Sequence, residues 1–125
     1  MKKYFRLYRN FLIIFGVIVI LITVASIWAH IEYSPIQRGE FSPQAWDRYP
    51  QLRHYMVEDM EVKIDIWNLS KSEIISILGT KAADIYEPGG ISYLISRGFM
   101  YNEYYRIVFT NDNEKVINIY REYDL

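Results

Sequence analysis

The chain has 125 residues, a formal net charge of −1 and no cysteine. That leaves room for one small domain and excludes disulfides, thiolate catalysis and Cys-based zinc sites. Four Lys and Arg fall in the first nine residues, leaving ten basic against fifteen acidic residues in the remainder; an acidic remainder excludes a nucleic-acid-binding face, which needs clustered cations to displace counterions.

Residues 1–10 form a basic tail with Lys2, Lys3, Arg6 and Arg9. Residues 11–29, from Phe11 to Ala29, contain no charge. At about 1.5 Å per residue they reach roughly 28 Å as a helix, close to the hydrocarbon thickness of a bilayer. A helix is the form that satisfies its own backbone where water is absent. Tyr4 and Tyr8 on one side, and Trp28 and Tyr33 on the other, suit the two interfaces. The positive-inside rule predicts a single-pass anchor in the cytoplasmic membrane, with the N-terminus inside and the C-terminal domain outside. A competing reading is a cleaved signal peptide: Ile27 and Ala29 make a poor cleavage site and Val24 and Ser26 a passable one, while the apolar run is longer than such a peptide's usual length of about 7–15 residues.

Residues 30–44 read as a linker, interrupted by Pro35, Gly39 and Pro43. Residues 45–125 read as the small extracytoplasmic domain. From Pro50 to about Met60 the spacing predicts a helix with Leu52, Tyr55, Met56 and Met60 on one face and Arg53, Glu58 and Glu61 away from it. Residues 62–67 read as an extended connector. Ser70 and Glu73 form a capping box, with Leu69 and Ile74 placed as a hydrophobic staple. The helix they open ends at Gly79, a residue that accepts positive φ at little cost. Glu87-Pro88-Gly89-Gly90 is a turn signal. Three strands follow at Ile91–Arg97, Glu103–Thr110 and Glu114–Glu122, with Asn111-Asp112-Asn113 as a hairpin tip. The expected fold is α+β: an N-terminal transmembrane helix, then two helices packed on one face of a three-stranded antiparallel meander.

The segments Leu69-Ser-Lys-Ser-Glu-Ile-Ile-Ser-Ile-Leu-Gly79, Ile91-Ser-Tyr-Leu-Ile95 and the strand pair on either side of Asn111-Asp112-Asn113 carry a resemblance. Over roughly Arg53 to Tyr120 the chain resembles the SmpA/OmlA-type small envelope domains and related inhibitor-like α/β units. The resemblance implies an exported or membrane-anchored bacterial protein that acts by binding other proteins. It carries over no site residue. Outer-membrane assembly lipoproteins begin with a lipidated Cys, and this chain has none.

No motif for catalysis stands out. His30 and His54 lack metal-ligand spacing. Asn111 to Glu114 lacks the spacing of a calcium loop. Gly89-Gly90 lacks the context of a phosphate cradle. Ser70 reads as a cap rather than a nucleophile, and Glu58, Asp59 and Glu61 read as a solvated helix face. No metal or cofactor is expected. The candidate partner-binding patch is Phe99, Met100, Tyr101 and Tyr104, where Tyr and Met crowd a strand connection; the bland reading is that these rings close the edge of a small core. The expectation is a non-enzymatic interaction module that binds an envelope protein and sits on the lipid bilayer. The alternatives are an immunity or inhibitor protein, a small subunit of a membrane complex, and an enzyme whose site is assembled from dispersed Asp, Glu and Tyr.

Overall fold

The computed structural model describes residues 1–124, which divide into two compact units, one from Met1 to Ser34 and one from Pro35 onward. The first unit is helical. Helix α1 runs Lys2–Gln37, and its most apolar 18-residue window has a mean hydropathy of 2.9. It is long and apolar enough to cross a membrane. The two hydroxyls within its apolar run are satisfied inside the helix: Thr23 Oγ1 donates to the Val19 carbonyl and Ser26 Oγ to the Ile22 carbonyl, each at 2.8 Å. In lipid, where water offers no partner, that internal bonding is what a spanning helix requires.

The stretch read as a linker, 30–44, is helical as far as Gln37. The helix ends in a Schellman motif, with Gly39 at φ 84°. The Gly39 N–H donates to Ile36 O at 2.9 Å and the Glu40 N–H to Pro35 O at 3.0 Å. Ile36 is buried within the second unit.

That unit contains the short helices α2 (Pro43–Arg48), α3 (Val57–Ile64) and α4 (Lys71–Leu78), with 3-10 turns at Pro50–Tyr55 and Ile66–Asn68. Its antiparallel sheet has four strands in the order β1 (Ala83–Tyr86), β2 (Gly90–Arg97), β3 (Asn102–Phe109) and β4 (Val116–Asp124). The α+β class and the antiparallel meander are as expected. The strand number and the helical layer are corrected. β1 was not expected: it is four residues long, mostly exposed and at a sheet edge, so no buried stripe marks it. The predicted helix from Pro50 to Met60 is a 3-10 turn followed by α3. Residues 62–67 are not an extended connector: Val62 to Ile64 end α3, Asp65 turns at φ 50°, and Ile66–Asn68 form the second 3-10 turn.

The 3-10 geometry inverts one expectation. With three residues per turn, Pro50, Arg53 and Met56 share a side, and Tyr55 turns outward. Arg53 and Met56 are fully buried, whereas Tyr55 is 45% exposed. The Arg53 guanidinium donates from Nε to Trp46 O at 2.7 Å, from one terminal nitrogen to Leu94 O at 3.1 Å and from the other to Lys81 O at 2.9 Å. Its carbon lies 5.0 Å from the Trp46 ring and 5.5 Å from the Tyr93 ring. Burial pulls its pKa down to about 10, so it remains charged at neutral pH.

The helical layer covers one face of the sheet. Ile91, Tyr93 and Ile95 from β2, Tyr105, Ile107 and Phe109 from β3 and Val116 from β4 are buried. Tyr93 Oη donates to Gly79 O at 2.7 Å and Tyr105 Oη to Glu61 Oε1 at 2.5 Å. Glu61, expected on the solvent side, is therefore at the core's rim. Two register shifts mark bulges, one between Leu94 and Ser96 and one between Val108 and Phe109.

Polar clamps fix the loops. Asp59 accepts the Phe41 N–H at 2.7 Å and pairs with Lys63 at 2.7 Å, while Lys63 donates to Phe41 O at 3.3 Å. Buried Lys71 donates to Tyr86 O at 2.7 Å and Glu87 Oε1 at 2.6 Å. Ser70 caps α4 as expected, accepting the Glu73 N–H at 3.3 Å, and Gly79 ends it at φ 73°.

Two outcomes are expected. In Arg53→Met the side chain still fills space but three carbonyls lose their donor, at about 1–3 kcal/mol each. Urea unfolding of the full chain in detergent should show a loss of about 3–5 kcal/mol, and Arg53→Lys, whose single nitrogen cannot span three carbonyls, should lose about 2 kcal/mol or more.

The second outcome concerns acid. The Asp59 pKa is lowered by its hydrogen bond from Lys63, that of Glu87 by Lys71 and that of Asp112 by Thr110. A depressed folded pKa gives stability that is present above the unfolded value, about 4, and lost as pH falls through the folded one. The melting temperature should be flat above about pH 5 and fall below about pH 4, with a shallower acid limb in the Asp59→Asn, Glu87→Gln, Asp112→Asn triple variant.

Candidate functional site

The sheet face away from the helices is where exposed side chains converge. Register places Asp84, Ser92, Arg106 and Tyr120 in one row across all four strands. The neighbouring rows hold Tyr86, Gly90, Val108 and Asn118 on one side and Leu94, Tyr104 and Glu122 on the other. Gly90 matters here: a Cβ would stand 3.3 Å from the Tyr86 ring, so the missing side chain lets that ring lie down on β2. Arg106 then lies over the same ring, with its guanidinium carbon 4.7 Å from the Tyr86 centroid and 5.8 Å from that of Tyr120. Glu122 pairs with it at 3.5 Å. This is a cation–π and ion-pair stack that keeps an arginine and two tyrosines flat against the sheet.

Beside the stack, Asp84, Tyr86, Tyr104, Arg106, Glu122 and Asp124 line an open groove of about 250 Å³. Asp124 also borders a smaller hollow of about 170 Å³ at the β2–β3 hairpin tip, formed with Phe99, Met100 and Tyr101. Tyr101 stacks edge-on against Tyr123 with centroids 5.3 Å apart, and Tyr123 also lines the groove.

The hairpin closes through the Gly98 N–H, which donates to Tyr101 O at 2.8 Å. A Cβ on Gly98 would come within 2.6 Å of that oxygen. The turn thus places Phe99 and Met100 at the outermost positions, 102% and 72% exposed.

The predicted patch is therefore only partly one site. Phe99, Met100 and Tyr101 gather at the tip. Tyr104 lies in the groove, on the face opposite buried Tyr105, as strand alternation requires. The row partners Asp84, Tyr86, Tyr120, Glu122 and Asp124 were not singled out by sequence. The only signal for them was the shared face of Tyr104 and Arg106 on β3.

The other candidates are placed as follows. His54, expected to be exposed, is half-buried with Nδ1 3.2 Å from Ile95 O, a contact that a protonated Nδ1 satisfies. Asp112 closes the β3–β4 turn, accepting from Thr110 Oγ1 at 2.5 Å and from the Glu114 N–H at 3.1 Å. Among the described residues, no group of three or more His, Asp or Glu side chains is arranged to hold a metal ion. In comparisons with known proteins, no family model matches the chain, and no curated protein or solved structure matches it.

Gly98→Ala tests whether the tip is built by its turn. The variant should lose about 1–3 kcal/mol through the backbone clash. Nuclear Overhauser contacts between the Tyr101 and Tyr123 rings should disappear, while those between Trp46 and Tyr93 persist.

Proposed function

We propose that the chain is a non-enzymatic protein-interaction module, anchored in the cytoplasmic membrane by α1, with its N-terminus inside and the globular unit outside. The observation that carries this reading is the β2–β3 tip. Two large apolar side chains occupy the most exposed positions of a tight turn, where small polar residues ordinarily serve. Neither contributes to the core, and each would gain about 1.5–3 kcal/mol if fully buried by a partner. The tip adjoins the tyrosine-lined groove, so anchor residues and a polar rim lie together, as interfaces require. Four Lys and Arg before the apolar run, against the single Arg38 between Ala29 and Gly39, support the orientation. The partner is a second envelope protein.

The absence of cysteine permits a single-label test. Met100→Cys should react with an impermeant maleimide on intact cells, whereas Lys3→Cys should react only after permeabilisation; the reverse pattern defeats the orientation. A photoreactive maleimide attached to the Met100→Cys variant should form a discrete adduct with one protein, and the same probe on Glu58→Cys should not. Phe99→Ser with Met100→Ser should change stability by no more than about 0.5 kcal/mol. The adduct formed from a probe at Arg97→Cys should be lost in that background. Equal adducts from the probes at positions 100 and 58, or none from the probe at position 100, would sink the reading.

A further inference from the structure

The sheet order leaves β4 at one edge, and the register shows which of its backbone groups point outward. The Phe109 N–H donates to Gly89 O at 2.7 Å, toward β2. Successive residues of a strand turn their N–H and C=O to opposite sides, so Val108, Arg106 and Tyr104 face β4, where they meet Asn118, Tyr120 and Glu122. Ile119, Arg121 and Tyr123 therefore direct their N–H and C=O outward. Among the described residues no backbone bond from another segment meets them. Edge strands are ordinarily blunted by shortness, proline, lysine or a bulge. β1, at the other edge, is four residues long. β4 is nine residues long, holds neither Pro nor Lys, and bulges only near its start, at Ile117. Its charges are met within its own sheet: Arg121 pairs with Glu103 at 3.1 Å, Glu122 with Arg106 at 3.5 Å, and Asp124 shares a row with Arg97. The free edge is left with Ile117, Tyr120 and Tyr123, all exposed.

We infer that two copies of the chain pair antiparallel along β4, about a two-fold axis that sets Tyr120 opposite its own copy and joins two sheets into one. The charges of the strand select that register, because like charges directly opposite are destabilising. An axis through Arg121 or Glu122 sets a like charge opposite itself, and one through Tyr123 sets Glu122 opposite Asp124. One through Ile119 brings Glu114 to Asp124, and one through Asn118 brings Lys115 to Arg121. Axes nearer the start of the strand pair fewer residues. The axis through Tyr120 sets Ile117 opposite Tyr123, Asn118 opposite Glu122 and Ile119 opposite Arg121, so no like charges meet. In this register Ile119 and Arg121 exchange hydrogen bonds through their outward groups. Tyr120 becomes a non-hydrogen-bonded pair, the kind in which side chains lie closest, and an aromatic pair there is favourable. The row of Asp84, Ser92, Arg106 and Tyr120 then runs on into its copy. An edge contact of this length is smaller than a standard interface, so the dimer depends on concentration. It uses neither Phe99 nor Met100, and stands or falls apart from the reading of the tip.

The test uses the full chain in zwitterionic detergent over a dilution series. At high concentration the amides of Ile119, Arg121 and Tyr123 should exchange with deuterium about tenfold more slowly than after dilution. Those of Asn118, Tyr120 and Glu122, already bonded to β3, should change far less. The absence of cysteine allows single-site cross-linking. Under mild oxidation Tyr120→Cys should give a disulfide-linked dimer. Asn118→Cys mixed with Glu122→Cys should give a mixed dimer that neither variant gives efficiently alone. Asp84→Cys, at the opposite edge, should cross-link only at the rate of random collision. Arg121→Pro removes one outward N–H without touching a bond to β3, whereas Arg121→Ala removes the same ion pair and keeps that N–H. The proline substitution should abolish the Tyr120→Cys cross-link and the alanine substitution leave it within about twofold, with melting curves confirming that both variants fold. Outward amides that exchange alike at every concentration would overturn the inference. So would cross-linking of Tyr120→Cys no faster than that of Asp84→Cys, or equal losses in the proline and alanine variants. If the proline variant does not fold, the mixed cross-link decides: its presence supports the register, and its absence overturns it.

Discussion

The guanidinium of Arg53 stands where α2, the connector before β1, and β2 converge, and it donates to one carbonyl of each. Those three acceptors share a property. Trp46 O lies near the end of α2, where helix carbonyls lack intrahelical partners. Lys81 O lies in an irregular connector. Leu94 O lies at the register shift of β2, where the ladder is interrupted. Arg53 collects the polar groups that regular structure leaves over. Its neighbour His54 faces the next carbonyl of the same bulge, Ile95 O. The 3-10 turn and the bulge thus require each other: straightening the strand would orphan two donors, and unwinding the turn would orphan the carbonyls. In a small domain without cysteine, a cross-link of this kind takes the place of a covalent staple.

The parts of the fold that were legible are those governed by local rules. Ser70 and Glu73 announce α4, Gly79 ends it, and alternation along β2 and β3 sorts Tyr104 from Tyr105, because each depends on neighbours within a few residues. The α-helical period places Arg53 on the solvent side, a rule sound for an α-helix. The chain at Pro50–Tyr55 winds with three residues per turn, and that change of period carries Arg53 inward and Tyr55 out. No local residue signals the change; it is enforced by carbonyls as far away as Leu94. The termination of α1 is a similar case. Gly39 reads as a break, and it is one, yet the helix continues through Pro35 to reach it.

The candidate site was half legible for a related reason. The tip residues Phe99, Met100 and Tyr101 are adjacent in sequence and stand out as an apolar cluster in a turn. The groove is assembled from strands far apart in the chain, and one of its walls belongs to β1, whose four mostly exposed residues leave no periodic trace. The extra residue in β4 at Ile117 shifts the phase of that strand, so its weak alternation concealed that Tyr120 and Glu122 share a face with Arg106.

The tyrosines divide into two populations, and the division bears on what the open face is for. Tyr93 and Tyr105 direct their hydroxyls to Gly79 and Glu61, and burial raises both pKa values, so these rings belong to the core. Tyr86 and Tyr120, on the open face, remain 41% and 39% exposed. An exposed sheet face of aliphatic residues would invite indiscriminate association. A face of tyrosines braced by an arginine keeps the area while setting polar groups among it. Bracing also has a kinetic and thermodynamic consequence. Rings already held by Arg106 and Gly90 lose little rotamer freedom when a partner covers them, so less of the contact energy is consumed in ordering the surface. The same arrangement that makes the bare sheet tolerable in water makes it a preorganised platform.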